Sequence, residues 1–219
     1  MMKYFMGIDV GTNETKGVLI DQKCEIVAFA SCGHDLLNPR PGFFEHDAEK
    51  TWWGDFCRLS RRLLEESGVA AADVGCVGLS ALGCDCVPVD AEGTALCNAI
   101  LYGVDSRSHK EIEWLYDYYG REEAERLYGH ELCSSDIAPK ILWVKNNLPE
   151  VYAKTAKFLT GSSYLCAKLT GEYTIDRYLA EDFMPLYDLK NDTVDEEHCA
   201  LYCRPDQLAR VMSATDIAG

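Results

Sequence analysis

The stretch from Tyr4 to Ile20, which reads YFMGIDVGTNETKGVLI, constrains the possible fold more than any other part of the sequence. It begins with a strand-like apolar run, Tyr4–Val10, and continues through a small polar turn, Gly11–Asn13. A second apolar run, Gly17–Ile20, follows the turn. Two apolar runs separated by a short turn of glycine and polar residues predict a β-hairpin.

Asp9 interrupts the end of the first run. A carboxylate inside an otherwise buried strand is costly to desolvate unless a cation or polar donors pair with it. Gly11 lets the backbone come close to a ligand, and successive N–H groups of a turn can form an anion-binding concavity. A carboxylate for Mg²⁺ beside donors for phosphate is typical of a nucleotide phosphate site. The local pattern fits an ordinary hairpin equally well, because short glycine motifs match many unrelated sequences.

Charge and hydropathy exclude several classes of partner. The chain has 21 basic and 36 acidic residues, a net charge of −15, and such a surface repels nucleic acid and anionic membranes. The sequence contains neither a signal-peptide core nor an apolar run long enough to cross a membrane. We therefore expect a cytoplasmic protein that binds neither nucleic acid nor membranes.

Eleven cysteines raise the question of disulfides or bound metal. The count is odd and no C-x-x-C pair occurs, so reduced cysteines in the cytoplasm explain the composition better than a disulfide framework. The closest groupings, Cys84–Cys86 and Cys199–Cys203, lack companion ligands at the spacing of a zinc site.

The order of elements predicts an α/β domain. A third apolar run, Glu25–Ser31, next to the hairpin favours an antiparallel meander. The two prolines of Asn38–Gly42 predict a loop. Val74–Ser80 is apolar without alternation, which predicts a strand buried on both faces.

A helix is predicted between Asp47 and Gly68. Asp47 is a suitable N-cap, and glycine at the far end is typical of a helix stop. Apolar residues between them recur at helical spacing, and Trp52 and Trp53 fall on that stripe. The two tryptophans therefore fit core packing better than a sugar-stacking platform. From Arg121 onward the pattern is mostly helical.

Six segments occur in one characteristic order along the chain. They are Gly7–Thr12 with Lys16, Gly42–Glu45, Gly78–Asp90, Ala99–Tyr102 with Asp105 and Arg107, Pro139–Trp143, and Tyr164–Leu165 with Leu169–Tyr173. Together they resemble the N-terminal domain of the FGGY carbohydrate kinases, a family that includes xylulokinase, ribulokinase and glycerol kinase. The resemblance covers nearly the whole chain.

The resemblance implies an actin-like ATPase fold, also called ribonuclease H-like, with a mixed five-stranded sheet and flanking helices. Residues 1–219 would form the N-terminal, sugar-binding-side domain. In this family two such domains close on a cleft that holds ATP, Mg²⁺ and a sugar or polyol substrate. The C-terminal nucleotide-binding domain is absent from this sequence, so it would belong to a longer protein or to a partner chain.

The same resemblance implies roles at the hairpin. Asp9 would help to hold hydrated Mg²⁺, while Gly11, Thr12 and Asn13 would line the pocket for the γ-phosphate. Phosphoryl transfer depends on positioning and on neutralising charge at the phosphate oxygens, which agrees with these assignments. Lys16 matches a position that is often basic in the family, although an exposed charge on the second strand explains it equally well.

On the substrate side, Gly83 and Cys84 match the family's usual sugar-contacting pair. Neither the methionine–histidine pair of xylulokinases nor the arginine–glutamate pair of glycerol kinases is present, and the segment is closer to the ribulokinase-like branch. Asp85 is either an acceptor for sugar hydroxyls or a solvated loop acid. Asp105 is expected on the substrate side, and Arg107 is expected to pair with a carboxylate that shapes its loop.

The family's catalytic aspartate, the general base for the attacking hydroxyl, would lie beyond Gly219. The sequence therefore predicts the N-terminal half of an ATP-dependent kinase for a pentulose or related polyol, inactive alone and with no catalytic residue of its own. Two alternatives stay open: a non-catalytic sugar-binding or assembly module of the same fold, and an actin-like filament protein. A homodimer is also left open.

Overall fold

The computed structural model describes residues 3–219. Over this range the strands are β1 (Tyr4–Val10), β2 (Glu14–Asp21), β3 (Ile26–Gly33), β4 (Leu37–Arg40), β5 (Phe43–His46), β6 (Val74–Ala81), β7 (Val87–Val89), β8 (Ala99–Ile100), β9 (Lys157–Leu159), β10 (Thr174–Asp176), β11 (Tyr187–Asp188), β12 (Thr193–Val194) and β13 (Arg210–Met212). The α-helices are α1 (Gly54–Ser67), α2 (His109–Tyr119), α3 (Arg121–Tyr128), α4 (Ile137–Asn147), α5 (Pro149–Lys154), α6 (Gly161–Thr170), α7 (Arg177–Ala180) and α8 (Glu196–Tyr202).

The main sheet has the strand order β3-β2-β1-β6. The β1–β2 and β2–β3 pairs are antiparallel, which confirms the predicted hairpin and meander. β6 pairs with β1 in parallel, so the sheet is mixed. The smaller sheets within residues 3–219 are β4-β5-β8, β7-β9, β10-β13 and β11-β12.

Within the described residues, the main sheet has four strands, whereas five were expected. After Ala81 the chain leaves the sheet, and β7 pairs with β9 in a separate antiparallel ribbon instead of extending β6. Proline at position 88 donates no ladder hydrogen bond, so this strand suits a short ribbon better than the interior of a sheet. The α/β class and the mixed sheet are as predicted.

One face of the main sheet is covered by α1. A π-helical turn, Ala48–Trp53, leads into this helix; Asp47 caps the turn, and Gly68 ends the helix in the left-handed conformation, as predicted. Gly17 permits the close packing, because a Cβ there would lie 2.9 Å from both Ile8 Cδ1 and Leu63 Cδ1. Trp52 is fully buried in this core, in agreement with its predicted packing role.

The opposite face of the sheet is open, and this corrects the expectation for β6. That strand was predicted to be buried on both faces, but its central residues are exposed. Phe5 and Phe29 on the same open face are 41% and 56% exposed. Lack of alternation in an apolar strand therefore does not mean that this chain buries both sides of it.

The predicted loop over Asn38–Gly42 is also corrected. Leu37–Arg40 forms β4 and pairs with β5 in a hairpin whose turn contains Pro41 and Gly42. Proline is tolerated at position 39 because β4 is an edge strand with an unused N–H side.

Residues beyond β8 form the helical region that was predicted from Arg121 onward. All eleven cysteines are free, as the composition suggested. Within residues 3–219, no helix is long and apolar enough to cross a membrane.

Candidate functional site

The β1–β2 turn is held in a shape that exposes two backbone donors. Gly11 N donates to Glu14 O at 3.0 Å, and a Cβ on Gly11 would lie 2.9 Å from the same carbonyl oxygen. Glycine is therefore needed at this position. Among the described residues, the N–H groups of Thr12 and Asn13 have no backbone acceptor. The turn thus offers two adjacent N–H groups, the arrangement that binds anions in proteins.

Two histidines hold the carbonyl groups of this turn from behind. His46 Nε2 donates to Thr12 O at 3.0 Å, while its Nδ1 accepts from Trp52 Nε1 at 2.9 Å. His34 Nε2 lies 3.0 Å from Gly11 O, and its Nδ1 lies 2.8 Å from a carboxylate oxygen of Asp55. Both ring nitrogens of His34 therefore face acceptor oxygens, one on the turn and one on Asp55. The turn is rigidly supported before any ligand arrives.

Burial, reinforced by the neighbouring His34, lowers the pKa of His46 from its ordinary 6.5 to about 4. Between these values the unfolded chain binds a proton that the folded chain does not, so stability falls as the pH falls through this window. The loss attributable to His46 reaches about 3 kcal/mol. Urea unfolding from pH 7 to pH 4 is expected to show a steeper pH dependence for the wild type than for His46→Gln.

The exposed His109 provides the matched control for this measurement, since His109→Gln is expected to leave the pH dependence unchanged. If the free energy of unfolding depended on pH equally in the wild type and in His46→Gln, His46 would not be held neutral by the fold.

Asp9 lies on the open face of the sheet and is exposed. The expectation of a desolvated carboxylate is therefore wrong, because strand alternation turns Asp9 away from the face that α1 covers. Its cross-strand neighbours are Lys16 and Ser80, and with Gly7 and Gly78 they line a groove of about 360 Å³. Among residues 3–219, no side chain forms a hydrogen bond or ion pair with the Asp9 carboxylate.

Lys16 is exposed on β2, beside this groove. Its Nζ lies 3.6 Å from a carboxylate oxygen of Glu14, a pair between two exposed side chains. Such pairs contribute little to stability, so Lys16 is free to turn towards an anion. Its role at phosphate stays a prediction.

A second polar cluster lies beneath the loop between β6 and β7. Asp85 and Lys140 are both fully buried, which excludes the solvated loop acid that was one alternative for Asp85. Lys140 Nζ donates to Cys84 O at 2.5 Å and to Ser135 O at 3.3 Å. Burial raises the pKa of Asp85 to about 8 and lowers that of Lys140, while their mutual attraction opposes both shifts. Asp85 Oδ2 has no hydrogen-bond partner among the described residues.

Cys84 occupies a strained position in this loop. Its φ of 60° lies in the left-handed region, which is uncommon for a residue other than glycine and clusters at functional sites. The thiol donates to Asp182 Oδ2 at 3.1 Å. Burial raises the pKa of Cys84 to about 12, so its sulfur is a neutral thiol. The neighbouring Gly83 is half-buried, and a Cβ there would lie 3.2 Å from Leu179 Cδ2.

Asp105 is almost fully buried and both of its oxygens are engaged. They accept from the Arg107 guanidinium at 2.7–3.0 Å and from Phe44 N at 2.6 Å. Arg107 also donates to Glu45 at 2.9 Å, which confirms that this arginine pairs with carboxylates to shape its loop. The substrate-side role of Asp105 stays a prediction, and its visible contacts are those of a loop framework.

The phosphate-type turn and the buried cluster are joined by one residue, Tyr102, through its side chain on one side and its backbone on the other. Its hydroxyl lies 2.9 Å from Thr12 Oγ1, and its N–H donates to Asp85 Oδ1 at 3.2 Å. In addition, Leu82 N donates to Val10 O at 3.0 Å, which ties the loop after β6 to the end of β1. Residues predicted for phosphate and for substrate thus belong to one connected region.

Sequence reasoning missed four contributors to this region: His34, His46, Lys140 and Asp182. The contacts of the two histidines with the turn, and of Asp182 with Cys84, join positions 23 to 98 residues apart in the chain, so local patterns carried no signal for these three residues. Lys140 had one available signal, since a lysine within the apolar run Ile137–Val144 is expected to be buried and paired.

Comparison with known proteins assigns the family. Residues 4–219 match the model for the N-terminal domain of the FGGY family of carbohydrate kinases. The chain belongs to this family. The xylulose kinase of Escherichia coli (strain K12) is 28% identical over 215 residues, covering 98% of this chain and 43% of the relative. The glycerol kinase of Nocardia farcinica is 28% identical, covering 100% of this chain and 44% of the relative.

Solved structures of FGGY kinases agree in fold. The crystal structure of ligand-bound xylulose kinase from Lactobacillus acidophilus superimposes with a TM-score of 0.87 at 24% identity, covering 99% of this chain and 43% of that one. The actin-like ATPase fold expected from the sequence is thereby confirmed. The chain spans less than half the length of these relatives.

Proposed function

We propose that this FGGY domain is the sugar-binding half of an ATP-dependent kinase that phosphorylates a hydroxyl of a pentulose or a related polyol. The observation that carries the proposal is the Thr12–Tyr102–Asp85 connection, which links an anion-binding turn to a buried polar cluster. Phosphoryl transfer requires the γ-phosphate and the acceptor hydroxyl to be held in one geometry, and a shared hydrogen-bonded framework supports this.

At the phosphate end, the N–H groups of Thr12 and Asn13 would donate to the γ-phosphate, with Gly11 allowing the close approach. Lys16 would add a positive charge from the adjacent strand. The residues present also fit a hydrated Mg²⁺, because the Asp9 carboxylate is exposed and has no competing partner among the described residues. Bound Mg²⁺ would neutralise charge on the phosphate oxygens.

At the sugar end, the substrate pocket would be shaped by Gly83, Cys84 and Asp85. Its rim would be formed by Asp105. The unpartnered Asp85 Oδ2 supports this assignment, since a buried polar atom without a partner is uncommon unless a ligand or water satisfies it. Because Asp85 and Cys84 are held by Tyr102, Lys140 and Asp182, they would be positioned before the sugar binds.

Catalysis would require a second half. We assign no general base within this chain; Asp216 accepts from Ser213 N in an exposed turn and has no contact with either cluster. The relatives are more than twice as long as this chain, and the open sheet face carries exposed Phe5 and Phe29. An apolar face of this kind fits a surface that another domain covers. We propose that the carboxyl-terminal kinase half occupies it, either in a longer protein or as a partner chain.

A thermal-shift panel of pentuloses, hexuloses and polyols, with and without Mg-ATP, tests the proposal. A pentulose or polyol is expected to raise the melting temperature of the chain, because a ligand of the folded state stabilises it by mass action. The shift should disappear in Asp85→Asn and persist in Glu65→Gln, an exposed acid on α1. Absence of any sugar-dependent shift would contradict the sugar site.

A coupled ADP assay then separates catalysis from binding. The chain alone is expected to bind the sugar without turnover, and supplying the carboxyl-terminal half is expected to produce turnover. ATP-dependent phosphorylation by the isolated chain would contradict the need for a second half. Sugar binding without turnover even in the combined protein would favour a non-catalytic sugar-binding module, a function that the unusual Gly83–Cys84 pair also fits.

A further inference from the structure

Three side chains of metal-ligand type meet in the loop between α3 and α4. They are His130, Cys133 and Asp136, and one ligand atom from each lies within 4.8 Å of the other two. His130 Nε2 is 2.9 Å from Asp136 Oδ1. None of the three belongs to the region around Thr12, Asp85 and Lys140 described above.

The donor set is one imidazole nitrogen, one thiol sulfur and one carboxylate oxygen. Zn²⁺ takes these three ligand types at about 2.0–2.3 Å, in a tetrahedron whose ligand atoms are about 3.3–3.8 Å apart. The His130 and Asp136 atoms are 2.9 Å apart, a hydrogen-bond distance, so a bound ion would replace this hydrogen bond and hold the two atoms slightly farther apart. Thiolate and imidazole ligands favour Zn²⁺ over Mg²⁺, which prefers an all-oxygen shell.

The backbone of this loop is fixed on both sides. Cys133 N donates to Asp136 Oδ2 at 2.7 Å, and Leu132 N donates to the Tyr116 hydroxyl at 2.9 Å. Ser134 Oγ donates to Gly103 O at 2.7 Å, which attaches the loop to the segment after β8. The loop backbone would therefore hold its position while the three side chains close around an ion.

One of the three ligand side chains is buried and the other two are exposed, an arrangement that lets an ion enter from solvent. Asp136 is 2% exposed at the start of α4, whereas His130 and Cys133 are exposed. A buried carboxylate provides a fixed negative ligand, and the two exposed ligands can rotate onto an arriving ion. Because His130 and Cys133 are exposed, a water molecule would complete the coordination of a bound ion.

We propose that His130, Cys133 and Asp136 form a site for one Zn²⁺ ion, distinct from the Mg²⁺ of phosphoryl transfer. The ion cross-links the loop over residues 129–136 to the start of α4. Ser135 in this loop accepts from Lys140, so the site stabilises the wall of the buried cluster from the outside. Its role is to fix this loop, because the three residues contact neither the turn at Thr12 nor Asp85.

Cobalt spectroscopy on the reduced, metal-free full chain tests this assignment. Co²⁺ is expected to bind with one-to-one stoichiometry, to give a sulfur-to-cobalt charge-transfer band with tetrahedral d–d bands, and to be displaced by Zn²⁺ but not by excess Mg²⁺. Loss of an outer-shell partner already weakens metal binding about 10–100-fold, so His130→Gln and Cys133→Ser should each weaken it by at least about tenfold. Zn²⁺ should raise the melting temperature of the wild type more than that of His130→Gln or Cys133→Ser.

Matched controls use an exposed cysteine and an exposed histidine elsewhere, Cys76→Ser and His109→Gln, which should bind like the wild type. His130 is half-exposed, so His130→Gln is expected to fold normally. This variant therefore still tests the site if Cys133→Ser fails to fold. Absence of the charge-transfer band would overturn the proposal. Equal Zn²⁺ affinity in the wild type and His130→Gln would do the same, since it would place the metal on other thiols.

Discussion

Replacing Lys140 by methionine is expected to lower the free energy of unfolding by about 3–5 kcal/mol, the cost of removing one member of a buried charged cluster. Methionine keeps the apolar stem but loses the bonds to the carbonyl oxygens of Cys84 and Ser135. It also removes the cation whose attraction lowers the pKa of Asp85 and favours its ionised form. Urea unfolding of the purified chain measures the loss, with Lys110→Met as an exposed control.

The destabilisation should grow with pH. Burial raises the pKa of Asp85 to about 8, above its ordinary value, so the folded chain holds Asp85 protonated where the unfolded chain ionises it. Stability from this group is therefore fully present below its ordinary pKa of 3.8 and is lost as the pH rises through the folded value. Without Lys140 the penalty at about pH 9 should exceed that at about pH 6.

A double variant isolates the interaction between the two side chains. Adding Asp85→Asn to Lys140→Met is expected to recover part of the loss, with an interaction energy of about 0.5–3 kcal/mol. Strictly additive effects would show that the two residues do not interact and would contradict the proposed cluster.

Replacing Asp9 by asparagine in a protein that carries both kinase halves is expected to reduce kcat by at least about 100-fold. The change removes the negative charge proposed to hold hydrated Mg²⁺, but keeps the shape of the side chain. Because Asp9 is exposed and has no partner among the described residues, the free energy of unfolding should change by less than about 0.5 kcal/mol. Sugar binding by thermal shift should be unchanged.

Steady-state kinetics with varied Mg²⁺ checks this prediction, with Glu65→Gln as the control for removal of one exposed negative charge. A turnover number equal to that of the wild type would exclude the proposed metal-side role of Asp9. Loss of sugar binding together with turnover would instead place Asp9 at the substrate.

Local patterns predicted the elements of this domain well where the signal is short-range. The hairpin Tyr4–Ile20, the third strand and the capped helix ending at Gly68 each depend on alternation, capping or a left-handed stop within a few residues. Arg107 pairs with carboxylates as expected, because an arginine beside an acid in a loop needs such a partner once buried. The ordered motifs also identified the family.

The predictions that were wrong concern which faces of the strands are buried. The side chain of Asp9 was expected to be desolvated, yet the same strand alternation that buries Ile8 exposes its neighbour. β6 was expected to be covered on both faces, and no element described here covers its outer side. An apolar run indicates that a strand can be buried, whereas the packing of distant elements decides whether it is.

The sequence by itself determined the family, the α/β class and the polar turn at Gly11–Asn13, because each is encoded in short local segments or in the order of those segments along the chain. Only the tertiary structure placed Asp85 beside Lys140, two histidines behind the turn, and Tyr102 between the turn and Asp85. These arrangements join residues far apart in the chain, and their burial changes the charge states that the isolated residues would have. Tertiary contacts therefore decide which of the polar residues in the sequence act together.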